Sequence, residues 1–232
     1  MTAAPARQNL LIDADDTLWE NNIYFEDAFE QFVGFLDHSS MSAPDIREVL
    51  DEIEVANIRI HGYGAANFAR NLAECYRRLA EREIRDGDLR TVMSFAERIL
   101  ERPMELIEGV AETLGYLAAR HDLTLFTKGH PDEQKLKIDR SGLGAYFSHT
   151  AIVKEKDEEA YASLARERGL AEEWTWMVGN SPKSDINPAL AAGLNAVYIP
   201  HPRTWGLERE EIQRAKPRLL ILENFAGLSQ HF

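Results

Sequence analysis

The sequence predicts an α/β protein whose parallel sheet is interrupted, after its first strand, by a wholly helical block. Three observations carry that reading. From about Ile23 to Arg102 apolar residues recur only at three- and four-residue steps, and after Pro103 short apolar runs alternate with helical patterns. Leu10-Leu11-Ile12, long enough only for a buried strand, stops abruptly at three carboxylates, Asp13, Asp15 and Asp16.

Taken in order, the strand at Leu10 belongs to the later sheet, which makes the helical block an insertion. Tyr24, Phe25, Ala28, Phe29, Phe32, Val33 and Leu36 trace one amphipathic face, and Ile46, Val49, Leu50 and Ile53 trace a second after Ser42-Ala43-Pro44. A loop is expected over Asn57–Gly64, then helices near Ala65 to Glu83 and Leu89 to Leu100, the last stopped by Pro103. Strands follow at Leu123–Thr127, Thr150–Val153, Thr175–Val178, Ala196–Ile199 and Arg218–Leu222. Helices are expected between them, near Val110 to His121, Pro131 to Ser141, Asp157 to Gly169 and Ser184 to Ala192. The core is thus 1–20 with 103–232, and the helical block 21–102. Ser229 to Phe232 read as a fraying end.

Composition narrows the function. A chain of 232 residues that is 44% hydrophobic can bury a core, and a net charge of -13 without a segregated basic patch argues against a nucleic-acid partner. A single cysteine excludes an internal disulfide and offers no zinc spacing, which points to the cytoplasm. The amino-terminal apolar run is cut by Asp13 before an export core forms, and no membrane-spanning stretch follows. Without sustained heptads, a monomer or a homodimer is expected.

In an open parallel sheet, ligands bind beyond the carboxyl ends of the strands. Those ends carry Asp13 and Asp15, then Thr127-Lys128-Gly129, then Lys154 and Lys156, then Gly179-Asn180-Ser181 with Asp185. Singly, each has an ordinary explanation as a turn, a solvated lysine or a helix cap. Together they suit one anion and one cation.

These motifs, in this order, resemble those of the haloacid dehalogenase superfamily: IDADDTL the first, LTLFTKG the second, IVKEKDEEAY the third and MVGNSPKSDINPALAAG the fourth. The resemblance covers nearly the whole chain. It implies a Rossmann-like core with a helical cap between the first and second motifs, and a Mg²⁺-dependent phosphatase acting on a small phosphorylated metabolite such as a sugar phosphate, phosphoglycolate or a nucleoside monophosphate. Asp13 becomes the nucleophile that forms an aspartyl-phosphate and Asp15 the acid–base, both within the competence of carboxyl groups. Thr127 and Lys156 complete the catalytic set. Thr17, Lys128 and Gly129 would contact substrate, with His61 and Tyr63 of the cap as specificity residues. Asp13, Asp15 through its carbonyl, Asp185 and Asn180 would hold the ion with hard oxygen donors.

Two departures matter. Asn180 stands where many of the family's phosphatases have Asp, and contributes an oxygen but no charge. The third motif offers both Lys154 and Lys156, of which Lys156 adjoins the expected helix cap Asp157. A 2-haloacid dehalogenase is the rival within the superfamily, and a carboxyl at residue 15 argues against it. A weakly catalytic binding or regulatory protein with the same fold is a further alternative, favoured by Asn180, and a phosphotransferase such as a mutase is another.

Overall fold

A computed structural model describes residues 7–213 and 218–232. Residues 1–6, part of the stretch read for an export core, lie outside the described residues. The chain divides into two compact units, Met1–Glu20 with Met104–Phe232, and Asn21–Pro103. No helix among the described residues is long and apolar enough to cross a membrane.

The first unit is built on six parallel strands: β1 (Asn9–Ile12), β2 (Asp122–Lys128), β3 (His149–Val153), β4 (Thr175–Gly179), β5 (Asn195–Tyr198) and β6 (Leu219–Ile221), ordered β3-β2-β1-β4-β5-β6. The chain leaves β1 for β2 and β3 on one side, then crosses back to β4 on the other. The order therefore reverses at β1, and the crevice between the carboxyl ends of β1 and β4 is where a ligand is expected. Alternation along β1 explains its unbroken apolar run. Leu10 and Ile12 enter one layer with Leu123, Leu125, Trp176 and Val178, whereas Leu11 enters the opposite layer with Phe126, Met177 and Tyr161. All three are fully buried, each worth about 1.5–3 kcal/mol of burial.

The carboxyl terminus does not fray. Asn224 caps a 3-10 helix over Phe225–Gln230, and Phe232 is buried with its ring edge-on to Trp176 at 5.3 Å and to His121 at 5.9 Å. An aromatic final residue with a hydrophobic slot to fill is anchored despite its position.

The second unit contains four helices, α1 (Asn22–Leu36), α2 (Ala43–His61), α3 (Ala65–Leu79) and α4 (Asp86–Glu97), with a 3-10 turn over Arg98–Glu101. Their core joins Phe29, Phe32 and Leu36 to Ile46, Leu50 and Ile53, Phe68, Leu72 and Tyr76, and Val92 and Ala96. Ser42 and Asp45 start α2 with a reciprocal capping box. Asn57–His61 are the last turns of α2 and not loop, because nothing in that stretch breaks a helix before Gly62, whose φ is 74°. The third helix ends at Leu79, short of the expected Glu83.

Buried polar residues of this unit include Glu54, Asn67 and Asn71. Glu54, on α2, is buried and its Oε2 has no hydrogen-bond partner. Burial pushes its carboxyl up to about 8, with Arg47 opposing and Asp51 and Glu26 adding to the rise.

Candidate active site

The ladder between β1 and β4 extends one residue past β1, where the Asp13 N–H donates to the Val178 carbonyl at 2.9 Å. This fixes Asp13 at the switch point. Its Oδ1 lies 2.5 Å from Lys156 Nζ and its Oδ2 accepts from the Thr17 hydroxyl at 3.0 Å. Lys156 precedes α7 (Glu158–Arg168), whose start is capped by Asp157 accepting from the Ala160 N–H, and its ammonium also meets Asp185 Oδ1 at 2.8 Å. Lys154, by contrast, is exposed.

Asp185 reaches this point through a widened π-type turn, Pro182–Ile186, that precedes α8 (Asn187–Ala191). The Ser181 N–H holds its Oδ2 at 2.9 Å. A side chain at Gly179 would overlap the Asp185 carboxylate, so the close approach requires glycine there. Two buried carboxylates therefore share one buried ammonium. Burial, then the like charge of Asp185, raise the Asp13 carboxyl to about 7 against the opposing pull of Lys156. The Lys156 ammonium is itself held above its ordinary range, because the two carboxylates outweigh the burial that would lower it.

Asn180 is tied on both sides. Its Oδ1 lies 3.3 Å from the Thr17 hydroxyl and its Nδ2 donates to Thr204 Oγ1 at 3.0 Å, which fixes the amide orientation. Thr127 is buried in β2 near its carboxyl end. Lys128, expected to face substrate, reaches Ser184 Oγ at 2.7 Å, Glu208 Oε1 at 2.7 Å and Glu155 Oε1 at 3.3 Å. Buried Glu208 also accepts from the Ser181 hydroxyl at 2.6 Å. Burial would raise its carboxyl, but Lys128 and the hydroxyls hold it below the usual range.

Asp15 is set by different groups. A tight turn returns the chain so that the Asp16 N–H meets the Trp19 carbonyl at 2.8 Å, and Trp19 Nε1 donates to Asp15 Oδ1 at 2.7 Å. From α6 (Pro131–Ser141), Lys137 Nζ lies 2.8 Å from Oδ1 and 2.6 Å from Oδ2, and Gln134 Nε2 donates to Oδ2 at 2.9 Å. Burial would raise this carboxyl, yet Lys137 and then the amide and indole donors bring it below its ordinary value. Gly129, with φ 145°, leaves room for Gln134, whose amide nitrogen would stand 2.8 Å from a Cβ there.

Asp16 takes a left-handed φ of 59°, a conformation that Asp tolerates better than most residues. Its carboxylate converges with Glu20 and His201, with His201 Nδ1 3.9 Å from Asp16 and Nε2 3.5 Å from Glu20. His61 ends α2, and Tyr63 lies in the turn after it, within the helical unit.

The sequence reading missed Trp19, Gln134, Lys137, Thr204 and Glu208. A signal existed for two of them: Gln134 and Lys137 stand three apart, on one face of the helix that follows the second strand tip. Glu208 lies in an irregular stretch with no periodicity to betray it.

Comparison with known proteins places this geometry. A family model described as haloacid dehalogenase-like hydrolase matches residues 8–193. The crystal structure of a hydrolase of the haloacid dehalogenase-like family from Xanthomonas campestris superposes with a TM-score of 0.82 at 31% identity, covering 97% of this chain and 94% of that one. Phosphoserine phosphatase from Thermus thermophilus is 33% identical over 104 residues, 43% of this chain, and the match spans only 40% of that enzyme's length. L-2-haloacid dehalogenase from Xanthobacter autotrophicus, at 14% identity and a TM-score of 0.66 over 97% of each chain, shares the fold. With the family model matching most of its length, this chain belongs to the haloacid dehalogenase-like hydrolases.

Proposed function

We propose that this hydrolase releases phosphate from a small phosphorylated metabolite by way of an aspartyl-phosphate on Asp13. The observation that carries the reading is the second carboxyl, Asp15, two residues after the nucleophile and half-buried beside it at one strand tip. Displacement of halide from carbon needs a nucleophile but no proton for a leaving alkoxide. Hydrolysis of a phosphomonoester needs both. The likeness to the Thermus phosphoserine phosphatase supports the same choice.

In the first step an Asp13 oxygen bonds to phosphorus as the ester P–O bond breaks, and protonated Asp15 gives its proton to the departing oxygen. In the second step the Asp15 carboxylate takes a proton from water, whose oxygen bonds to phosphorus as the Asp13–phosphorus linkage breaks. Phosphate leaves and Asp15 is again protonated. Lys156 and Thr127 are proposed to neutralise and hold the phosphoryl oxygens, with Thr17, Lys128 and Gly129 as proposed substrate contacts.

The donor set fits Mg²⁺. Asp13 and Asp185 bring two buried carboxyl groups to the one ammonium of Lys156, and the Asp15 carbonyl and Asn180 amide add neutral hard oxygens. Bound by these residues, the ion supplies positive charge for an anionic substrate beside an anionic nucleophile. His61 and Tyr63 stand as proposed specificity residues of the helical unit.

The test is a panel of phosphorylated metabolites, phosphoserine among them, with p-nitrophenyl phosphate and 2-chloropropionate, each with Mg²⁺ and with EDTA. Mg²⁺-dependent phosphate release, abolished by Asp13→Asn, is the expected result. Chloride release without phosphate release would make the protein a dehalogenase. Neither product would leave the weakly catalytic binding protein.

A further inference from the structure

The surroundings of Asp15 contain more than acid–base chemistry requires of a solvated carboxyl. Each oxygen meets two N–H donors, Trp19 and Lys137 on Oδ1, Gln134 and Lys137 on Oδ2. No acceptor is among them, so this is a cradle for the carboxylate and not for the acid. Gln134 also donates from the same Nε2 to the Lys128 carbonyl at 2.8 Å. Its amide cannot be reversed, because Oε1 would then face two oxygens at once. The cost of this orientation is visible in Gln134 Oε1, a buried acceptor without a hydrogen-bond partner. An unsatisfied buried acceptor calls for an explanation, and here the two donations of Nε2 supply it.

We propose that Lys137 and Gln134 are positioning residues for the second half of the reaction. They hold the Asp15 carboxylate where it takes the proton from the water that hydrolyses the aspartyl-phosphate. The inference rests on the phosphatase reading above and names how that same site is organised. Trp19 and Gln134 each hold one oxygen through a planar, directional N–H. Lys137 bridges both oxygens with a rotatable ammonium, so it can release one to water while keeping the other. Gln134 also links the tips of β1 and β2, so the base and the second-strand residues keep their spacing through the cycle.

Burst kinetics test this. With p-nitrophenyl phosphate the leaving group departs with little help from an acid, so kcat/KM reports formation of the aspartyl-phosphate and kcat its hydrolysis. In Lys137→Met and in Gln134→Ala, kcat should fall about 10- to 100-fold and KM should fall with it. kcat/KM should stay within about 3-fold, and a nitrophenol burst approaching one equivalent of enzyme should appear. Lys137→Arg, which keeps the charge and the donors, should restore most of kcat. Gln134→Ala leaves no unpaired charge and serves if Lys137→Met does not fold, with the thermal midpoint measured for each. A parallel loss of kcat and kcat/KM without a burst, or no loss at all, overturns the positioning role while leaving the phosphatase reading intact. Wild-type protein that releases no phosphate from any ester overturns both.

Discussion

Buried acids meet opposite fates in the two units of this chain. Around the strand tips of the α/β unit, buried Asp13, Asp185 and Glu208 and half-buried Asp15 each meet an ammonium from a distant part of the sequence, Lys156, Lys137 or Lys128. In the helical unit, Glu54 is as deeply buried, yet one carboxyl oxygen has no partner. In the first group, desolvation is offset by close opposite charge and by hydrogen bonds. Glu54 avoids the cost by keeping its proton. The difference teaches that burial alone does not mark a functional acid here; a cation brought from a distant element does.

Breaking the best-compensated site should have the largest effect. Lys156→Met leaves two buried carboxyl groups facing each other without a cation, so a loss of stability of about 3–5 kcal/mol is expected. Turnover should fall at least about a thousandfold, as when a preorganised electrostatic group is removed. Urea unfolding and steady-state rates measure the two losses. Retention of both stability and rate would mean that the shared ammonium is not what compensates these two buried acids.

The opposite experiment addresses Glu54. Its folded value of about 8 lies above the ordinary 4.5, so between those pH values the native state holds a proton that the unfolded state has lost. Stability contributed by the neutral form is therefore full below about 4.5 and is lost progressively as pH rises through 8. Glu54→Gln removes that dependence, and its advantage over wild type should be near zero at low pH and reach a few kcal/mol at most by about pH 9. The four tryptophans, Trp19, Trp174, Trp176 and Trp205, all belong to the α/β unit. Fluorescence thus follows that unit while far-ultraviolet circular dichroism follows the helices of both. A pH-dependent gain seen only in the dichroism would place the effect in the helical unit; equal curves at every pH would contradict the buried-acid account.

Between these lies the Lys128–Glu208 pair, whose members are mostly buried and held by Ser181 and Ser184 as well. Glu208→Gln should cost about 1–3 kcal/mol, read by thermal unfolding. The smallest effect belongs to the exposed pair Arg166–Glu159, 2.7 Å apart with both side chains more than half exposed. Glu159→Ala should change stability by less than about 0.5 kcal/mol, since solvent already screens the pair. A larger loss would weaken the contrast between buried and surface charge.

Much of this arrangement is legible in the residues. Asp13 and Asp15 follow an apolar run that can only be a strand, and Lys156 stands before a helix cap, so each is assigned to a strand tip by local pattern alone. Lys128 also sits at a tip, but its direction is set by Glu208, eighty residues on, and no local rule shows that it turns to a carboxylate. Phe232 read as a fraying end because its slot, between Trp176 and His121, exists only after the sheet has formed. Asn57–His61 read as loop because the glycines beyond them were given too long a reach.

The sequence by itself determined the periods: which stretches are strands, which are helices, that a helical block interrupts a parallel sheet, and that acids stand at the strand ends. These follow from side-chain spacing and turn chemistry, which act over a few residues. Only the tertiary structure decided which donor meets which acid. Asp15 and Lys137 are 122 residues apart, and Asp13 and Lys156 are 143 apart. Such pairs exist only once the crossovers have set distant elements side by side, and the titration of a buried group follows from that neighbour and not from its own place in the chain.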